Sequence, residues 1–137
     1  QAMLMAERLF DESEEFGRWP GLGLIPGSVV KIPPEDLNGR PQRVPQVGWN
    51  SLFPVKGKKD FEGSILCSVA PGKEVYFVHS YEVKPANPAD RLAEASFGGR
   101  SICAAALHGN VVGCQFHPEK SGRVGLSIIQ QFLLQTE

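Results

Sequence analysis

The pattern of apolar and polar residues predicts a helix at the start of the chain. Residues 1–16 contain MLMA and LF at helical spacing and end in the acidic run DESEE. Gly17 follows directly and is a typical helix stop. The next stretch, GRWPGLGLIPG (17–27), is so rich in Gly and Pro that we expect a loop.

The middle of the chain has the short apolar runs of β-strands. SVVKI (28–32) and RVPQVGWN (43–50) predict two extended segments. EVYFVHSYEV (74–83) is the strongest strand signal, and it is apolar on both faces, as in a sheet that is covered on both sides. SICAAAL (101–107) and VVGCQFH (111–117), joined by His-Gly-Asn, predict a hairpin.

The last segment, 122–135, predicts an amphipathic helix. Val124, Ile128 and Phe132 fall on one stripe, and Ser121 stands where an N-cap is expected. Helices at both ends of a run of strands are typical of an α/β domain in which helices cover a mixed sheet.

Composition limits the possible functions. At 137 residues, with 42% hydrophobic and 21% charged residues, the chain fits one domain with a real core. A net charge of −1 gives no reason to expect a nucleic-acid or anionic-membrane partner, and no apolar run approaches the roughly 18 residues of a membrane span. The N-terminal acidity is unlike a secretory or transit peptide. The 3 cysteines are irregularly spaced, which predicts no disulfide framework, no metal site and a reducing, cytoplasmic setting. We also expect no cofactor.

The string GCQFHPEKSG holds the residue types of nucleophilic catalysis. His117 and Glu119 flank Pro118, where a strand should end. Glu119 can then accept a hydrogen bond from one nitrogen of His117, which leaves the other nitrogen as a general base; a surface ion pair is the alternative. Strand alternation places Cys114 on the opposite face, as a small buried apolar residue.

QFHPEKSG resembles the C-terminal active-site motif of the class I glutamine amidotransferases. VPQVGWN (44–50), YFVHSY (76–81) and LFDESEEFG with GLGLIPG (9–27) extend the resemblance. Together these strings are similar to glutaminase subunits of imidazole glycerol phosphate synthases, over nearly the whole chain. The resemblance implies a flavodoxin-like α/β fold with a mixed, mainly parallel sheet, and makes 1–137 the C-terminal portion of such a domain.

The resemblance also implies roles for individual residues. His117 would be the general base and Glu119 its orienter, so that glutamine is hydrolysed to glutamate and ammonia. Four further residues would bind glutamine, namely Gln1, Glu15, Ser80 and Tyr81. The family's partner is a (β/α)₈-barrel cyclase of histidine biosynthesis that receives the ammonia. Four residues would lie at that interface, namely Trp49, Asn50, Tyr76 and Lys120; Trp49 could equally be a core residue.

The family's nucleophile turn, Gly-x-Cys-x-Gly, does not occur in these 137 residues. In one alignment, Gln1 is the last residue of the family's Gly-Met-Gln, and the nucleophile lies just before Gln1. In an alignment counted back from ESEE without a gap, the nucleophile position falls near Met3. Cys67 and Cys103 sit in apolar runs without flanking glycines, with no sharp turn to expose them, and we expect both to be structural. We therefore expect this chain alone to be inactive.

Two alternatives stay open beside the main hypothesis. One is a glutaminase domain of another synthase, such as GMP or anthranilate synthase. The other is a non-catalytic relative that acts as a binding or regulatory subunit. Of the remaining histidines, we expect His79 to be a hydrogen-bonded core residue and His108 to be solvated in the hairpin turn.

Overall fold

The structure, a computed structural model, describes residues 2–5, 10–13, 19–20 and 25–135, and for the ranges before residue 25 it describes the backbone. Within these ranges it has strands β1 (Ala2–Met5), β2 (Phe10–Ser13), β3 (Trp19–Pro20), β4 (Ile25–Lys31), β5 (Gln46–Ser51), β6 (Phe53–Pro54), β7 (Glu74–His79), β8 (Tyr81–Pro85), β9 (Arg91–Phe97), β10 (Arg100–His108) and β11 (Val111–Cys114), and helix α1 (Gly122–Gln135). Short 3-10 turns lie at Pro88–Asp90 and Pro118–Lys120.

The described strands form one large sheet and one small one. The large sheet runs β1-β11-β10-β8-β4-β2-β3, and β9 joins β10 to β6; the small sheet pairs β5 with β7. Helix α1 buries Ile128 in the main core together with Phe77 and Phe116, and the other stripe residues, Val124 and Phe132, pack against that core. The predicted amphipathic helix and its apolar stripe are therefore confirmed.

The sheet is mixed, as expected, and the α/β class stands. The pairings β1–β11 and β2–β4 are parallel. The other pairings among the described strands are antiparallel. The expectation of a mainly parallel sheet is thus wrong for the described residues, because hairpins such as β10–β11 and β9–β10 connect neighbours directly and leave no room for crossover helices.

The N-terminal helix prediction is also wrong where the structure describes the chain. Ala2–Met5 pairs residue for residue with Val111–Cys114, and Phe10–Ser13 pairs with β4. A short apolar run fits a buried strand as well as a helix, and the backbone hydrogen bonds of the sheet decide between them. The predicted loop 17–27 likewise contains β3 and the start of β4.

The predicted strand 74–83 is two strands in different sheets. β7 pairs with β5, and β8 pairs with β4 and β10. The chain bends at Ser80, whose carbonyl accepts a hydrogen bond from the N–H of Ile32 (2.9 Å). β7 has one exposed face and is not covered on both sides: Val75 and Phe77 are buried, while Val78 is 38% exposed.

The hairpin prediction is confirmed, with His108 paired to Val111 across the turn. Within the described ranges, no helix reaches the length and hydropathy that crossing a bilayer requires.

Candidate functional site

The candidate site begins where β11 ends and the chain turns into α1. Gln115 N–H still donates to the carbonyl of Ala104 (2.8 Å), so the strand direction persists for one residue beyond β11. His117 is extended, with φ −102° and ψ 99°, as expected for a residue that precedes proline. Pro118 then opens the 3-10 turn, which places Glu119 back beside His117.

His117 and Glu119 make the predicted hydrogen bond. Nδ1 of His117 lies 2.8 Å from Oε1 of Glu119. A carboxylate only accepts, so Nδ1 carries the proton and the tautomer is fixed. Nε2, on the other edge of the ring, is the atom that can take a proton from a nucleophile. The side chain of His117 is 20% exposed and that of Glu119 is 59% exposed, so the pair faces solvent.

Glu119 is ionised near neutral pH. Partial burial acts to raise its pKa, but hydrogen bonds from its own backbone N–H and from His117, with the charges of His117 and Lys120, outweigh it and hold the pKa of Glu119 below its ordinary value. The carboxylate therefore keeps its orienting role down to acidic pH.

The turn lies against β7. His117 N–H donates to the carbonyl of Tyr76 (2.9 Å). Tyr76 N–H donates to Oγ of Ser121 (2.9 Å), and the same Oγ donates to the carbonyl of His117 (2.6 Å). Ser121 thus occupies the predicted N-cap position, directly before α1, but its hydroxyl bonds to β7 and to the turn and not to N–H groups of the helix. Its carbonyl accepts the N–H of Gly125 (3.1 Å), the first bond of the helix.

Helix α1 approaches this turn so closely that it needs a glycine. A Cβ atom on Gly125 would overlap the carbonyl oxygen of Pro118 and press on Cβ of Ser121. No local pattern predicts this contact, and a glycine inside a helix is otherwise unfavourable.

β7 ends at His79, directly before the expected glutamine-binding segment. Ser80 and Tyr81 lie at the bend, partly buried. His79 fixes the bend: its Nδ1 donates to the carbonyl of Tyr81 (2.8 Å), and its Nε2 lies 2.6 Å from the side-chain amide of Gln46. His79 is 4% exposed, which confirms a hydrogen-bonded core histidine.

Burial is the main cause that lowers the pKa of His79; the bond to Tyr81 opposes it, and the charge of His117 lowers it further. The ring is therefore neutral. A neutral ring that donates at Nδ1 can only accept at Nε2, so Gln46 presents its NH₂ group to the ring, with the oxygen and nitrogen of its amide exchanged by a half-turn rotation. Sequence reasoning missed Gln46, which lies 33 positions from His79.

The residues expected at a partner interface are only partly together. Trp49 pairs with Tyr76 across the small sheet, and their rings meet edge to face with centroids 5.9 Å apart. Trp49 is 53% exposed, so the core alternative is wrong. Lys120 is exposed at the 3-10 turn. Asn50 instead donates its amide to the carbonyl of Ser96 (2.7 Å) and holds β5 to β9.

Gln1 and Glu15 lie outside the described residues. Within the described part of the chain, no group of three or more His, Cys, Asp or Glu side chains is arranged to hold a metal ion.

The cysteines do not complete the site. Cys103 and Cys114 are buried, as predicted, and burial raises the pKa of each thiol to about 12. Cys67 is exposed, so its prediction as a buried structural residue is wrong. SILCSV is not a strand but a series of turns, in which Cys67 N–H bonds to the carbonyl of Ser64 (3.1 Å).

Cys67 is also far from His117. The carbonyl of Ser64 accepts a hydrogen bond from the side chain of Gln135, the last residue of α1 (3.2 Å). His117 lies before the first residue of the same helix, and a helix of 14 residues is roughly 21 Å long. The thiol and the imidazole therefore lie near opposite ends of α1.

Comparison with known proteins agrees with this geometry. A model of the class-I glutamine amidotransferase family matches residues 13–136. The HisH 1 subunit of imidazole glycerol phosphate synthase from Legionella pneumophila (strain Lens) is 46% identical over 127 residues, which cover 93% of this chain and 60% of that protein. The HisH subunit from Rhodospirillum rubrum is 46% identical over 91% of this chain and 55% of its own length. The HisH subunit from Syntrophotalea carbinolica is 44% identical over 90% of this chain and 58% of its own length.

The chain thus spans less than two thirds of the length of these relatives. The family match covers both the bend at Ser80 and the His-Pro-Glu turn, the two places where the structure gathers its candidate site residues. This chain belongs to the class-I glutamine amidotransferase family.

Proposed function

We propose that this chain provides the general base and its orienter to the glutaminase subunit of an imidazole glycerol phosphate synthase, in histidine biosynthesis. The observation that carries the proposal is the bond from Nδ1 of His117 to Glu119, which leaves Nε2 to move protons. The names of the HisH relatives support the choice of synthase over GMP or anthranilate synthase.

The chemistry follows from the roles of the two nitrogens. Nε2 of His117 takes the proton of a cysteine thiol, and the thiolate attacks the side-chain carbonyl of glutamine. The protonated ring then gives its proton to the departing ammonia, which leaves a thioester. Nε2 next takes a proton from water, whose oxygen attacks the thioester and expels the thiolate, and the ring returns that proton to the sulfur as glutamate is released. Throughout, Glu119 stabilises the imidazolium through Nδ1–H.

The thiol comes from outside these 137 residues. Cys103 and Cys114 are buried with a pKa of about 12, and Cys67 lies at the far end of α1. A thiolate is the reactive form, and neither buried thiol forms it near neutral pH.

Glutamine would bind across the bend after β7. Backbone N–H groups at Ser80 and Tyr81 suit its carboxylate, and Glu15 suits its ammonium group, with Gln1 beside the nucleophile. The fixed bend at His79 supports this role for Ser80 and Tyr81, because a binding segment must be rigid to orient the substrate.

The ammonia acceptor would be a (β/α)₈-barrel cyclase that binds the outer face of the small sheet. That face is largely apolar and exposed, with Val47 58%, Trp49 53% and Val78 38% accessible, and the exposed Glu74 lies at one end of it. Aromatic residues and few charged residues are typical of interface cores. Lys120 would then lie at the polar rim of the interface. Tyr76 joins the two regions, since its ring lies on this face and its backbone bonds to the His117 turn. Three free thiols fit a cytoplasmic setting.

The test is the glutaminase activity of the full-length gene product, assayed with the cyclase added. His117→Asn should lower kcat by about 10²- to 10⁴-fold, because the base is lost. His108→Asn is the matched control: His108 is an exposed histidine in the hairpin turn, 3.2 Å from Asp90, and its loss should leave kcat unchanged. Activity that survives His117→Asn would contradict the assignment. A wild-type product with no glutaminase activity would favour the non-catalytic alternative.

A further inference from the structure

The hydroxyl of Ser121 is buried and acts both as donor and as acceptor, although it takes no part in the proton transfers at His117. The residue is 1% exposed. Its Oγ donates to the carbonyl of His117 (2.6 Å) and accepts from the N–H of Tyr76 (2.9 Å). The hydroxyl therefore joins two chain segments that are 45 positions apart.

These two bonds work together with a third. The N–H of His117 donates to the carbonyl of Tyr76 (2.9 Å), so both backbone polar groups of Tyr76 are bonded to the turn. Both backbone polar groups of His117 are fixed as well, since its carbonyl also accepts from the N–H of Lys120 (3.0 Å). With both of its peptide groups held, the direction of the Cα–Cβ bond of His117 is set relative to β7.

Strand β7 connects the His117 turn to the rest of the site. On its other edge β7 is bonded to β5, from Gln46–His79 to Ser51–Glu74. At its end it passes into the bend that His79 fixes through Tyr81 and Gln46. The ring of His117 and the segment at Ser80 thus share one rigid strand as their support.

We propose that Ser121 is a positioning residue for the general base, whose hydroxyl fixes His117 to β7 and so aligns Nε2 with glutamine bound at the Ser80 bend. The proposal rests on the proposed function. Without the hydroxyl, the Tyr76 N–H and one acceptor site of the His117 carbonyl lose their partner, and the turn keeps one direct bond to β7. A displacement of about 1 Å at a reacting group costs on the order of 10²-fold in rate. Glutamine itself would still bind, because the hydrogen bonds of Ser121 go to Tyr76, to the turn and to α1, and not to the Ser80 bend.

The experiment compares three variants of the full-length gene product, with the cyclase added. Ser121→Ala removes the hydroxyl, and Ser121→Thr keeps it. Ser127→Ala is the matched control, because Ser127 lies on the same helix and its hydroxyl donates only to the carbonyl of Val124 (2.7 Å). Because Cβ of Ser121 is close to Gly125, Ser121→Cys is made as well, since it adds no branch at Cβ and puts a weak hydrogen-bonding group in place of the hydroxyl.

Two quantities are measured: the steady-state kcat and KM for glutamine, and the hydrogen exchange of the Tyr76 amide. We expect Ser121→Ala to lower kcat by about 10- to 10²-fold with KM changed by less than about twofold, and to speed exchange at Tyr76. Ser121→Thr should restore both quantities toward wild type, Ser121→Cys should fall between, and Ser127→Ala should change neither.

The outcomes separate this proposal from the proposed function. An active product in which Ser121→Ala has wild-type kcat, or a raised KM alone, overturns the positioning role and leaves the proposed function intact. Fast exchange at Tyr76 with unchanged kcat does the same, because the bond would then be merely structural. A wild-type product without glutaminase activity overturns the proposed function and, with it, the catalytic role of Ser121.

Discussion

The bend at His79–Tyr81 and the turn at His117–Ser121 each hold one histidine, and they use the imidazole in opposite ways. His79 is 4% exposed and both of its nitrogens bond within the chain, to Tyr81 and to Gln46. His117 is partly exposed and bonds to Glu119 through Nδ1, which leaves Nε2 toward the site. A ring bonded on both edges stabilises a backbone shape, whereas a ring bonded on one edge can transfer a proton.

The comparison predicts that Glu119 matters for rate far more than for stability. In Glu119→Gln, a neutral amide replaces the carboxylate that stabilises the imidazolium, and it can bond to either tautomer of His117. We expect kcat of the full-length product to fall by about 10²-fold. The free energy of unfolding should change by less than about 0.5 kcal/mol, because the side chain is largely exposed.

Glu62→Gln is the control for charge removal at an exposed glutamate outside the site. The role of Glu119 as orienter would be wrong if both variants kept wild-type kcat.

The reverse result is expected for His79. Replacing it by leucine leaves the Tyr81 carbonyl and the Gln46 amide without partners in a buried place. Each unsatisfied buried group costs about 1–3 kcal/mol, so His79→Leu should lower the free energy of unfolding by at least that amount. Urea unfolding of the full-length product measures it.

His117→Asn provides the contrast in the same unfolding experiment, because it removes no buried hydrogen bond. Equal losses of stability in the two variants would remove the distinction between the two histidines.

The smallest predicted effect is a pH dependence of stability. The folded pKa of His79 lies below its ordinary value of 6.5, so the unfolded chain binds more protons at acidic pH. The contribution of His79 is complete above pH 6.5 and is lost as the pH falls, by at most about 1.4 kcal/mol per pH unit. The lowered pKa of Glu119 affects stability only at more acidic pH, below the ordinary Glu pKa of 4.5.

Unfolding free energies between about pH 7.5 and pH 5.5 cover the first window and not the second. The slope over this range should be shallower in His79→Leu than in wild type. A variant with the wild-type slope would show that His79 is not the titrating group.

The sequence predicts best what short-range spacing decides. The pair at His117 and Glu119 follows from a proline between two residues, and the β10–β11 hairpin follows from two apolar runs around Gly109. What it misses depends on partners far along the chain. Ala2–Met5 is a strand because β11 lies beside it, more than 100 positions away.

The same limit explains Ser121 and the bend in 74–83. As a residue just before a helix, Ser121 fits an N-cap, and only the fold brings Tyr76 within reach of its hydroxyl. The bend at Ser80 needs the contact between His79 and Gln46, which no local pattern shows. Cys67 looks buried in SILCSV because the run is apolar, yet the chain turns there and exposes its thiol.

Trp49 is an intrinsic fluorescence probe of the exposed face of the β5–β7 sheet. Its indole is 53% exposed, touches the edge of Tyr76 and reaches within 3.9 Å of the position that a Cβ would take on Gly122. Indole fluorescence shifts to shorter wavelength when water is displaced from the ring. Any molecule that covers the β5–β7 face must therefore change the emission of Trp49, and Trp49→Phe identifies the signal against Trp19, the second of the 2 tryptophans. Binding to this face can therefore be followed by tryptophan fluorescence, without an added label and without an activity assay.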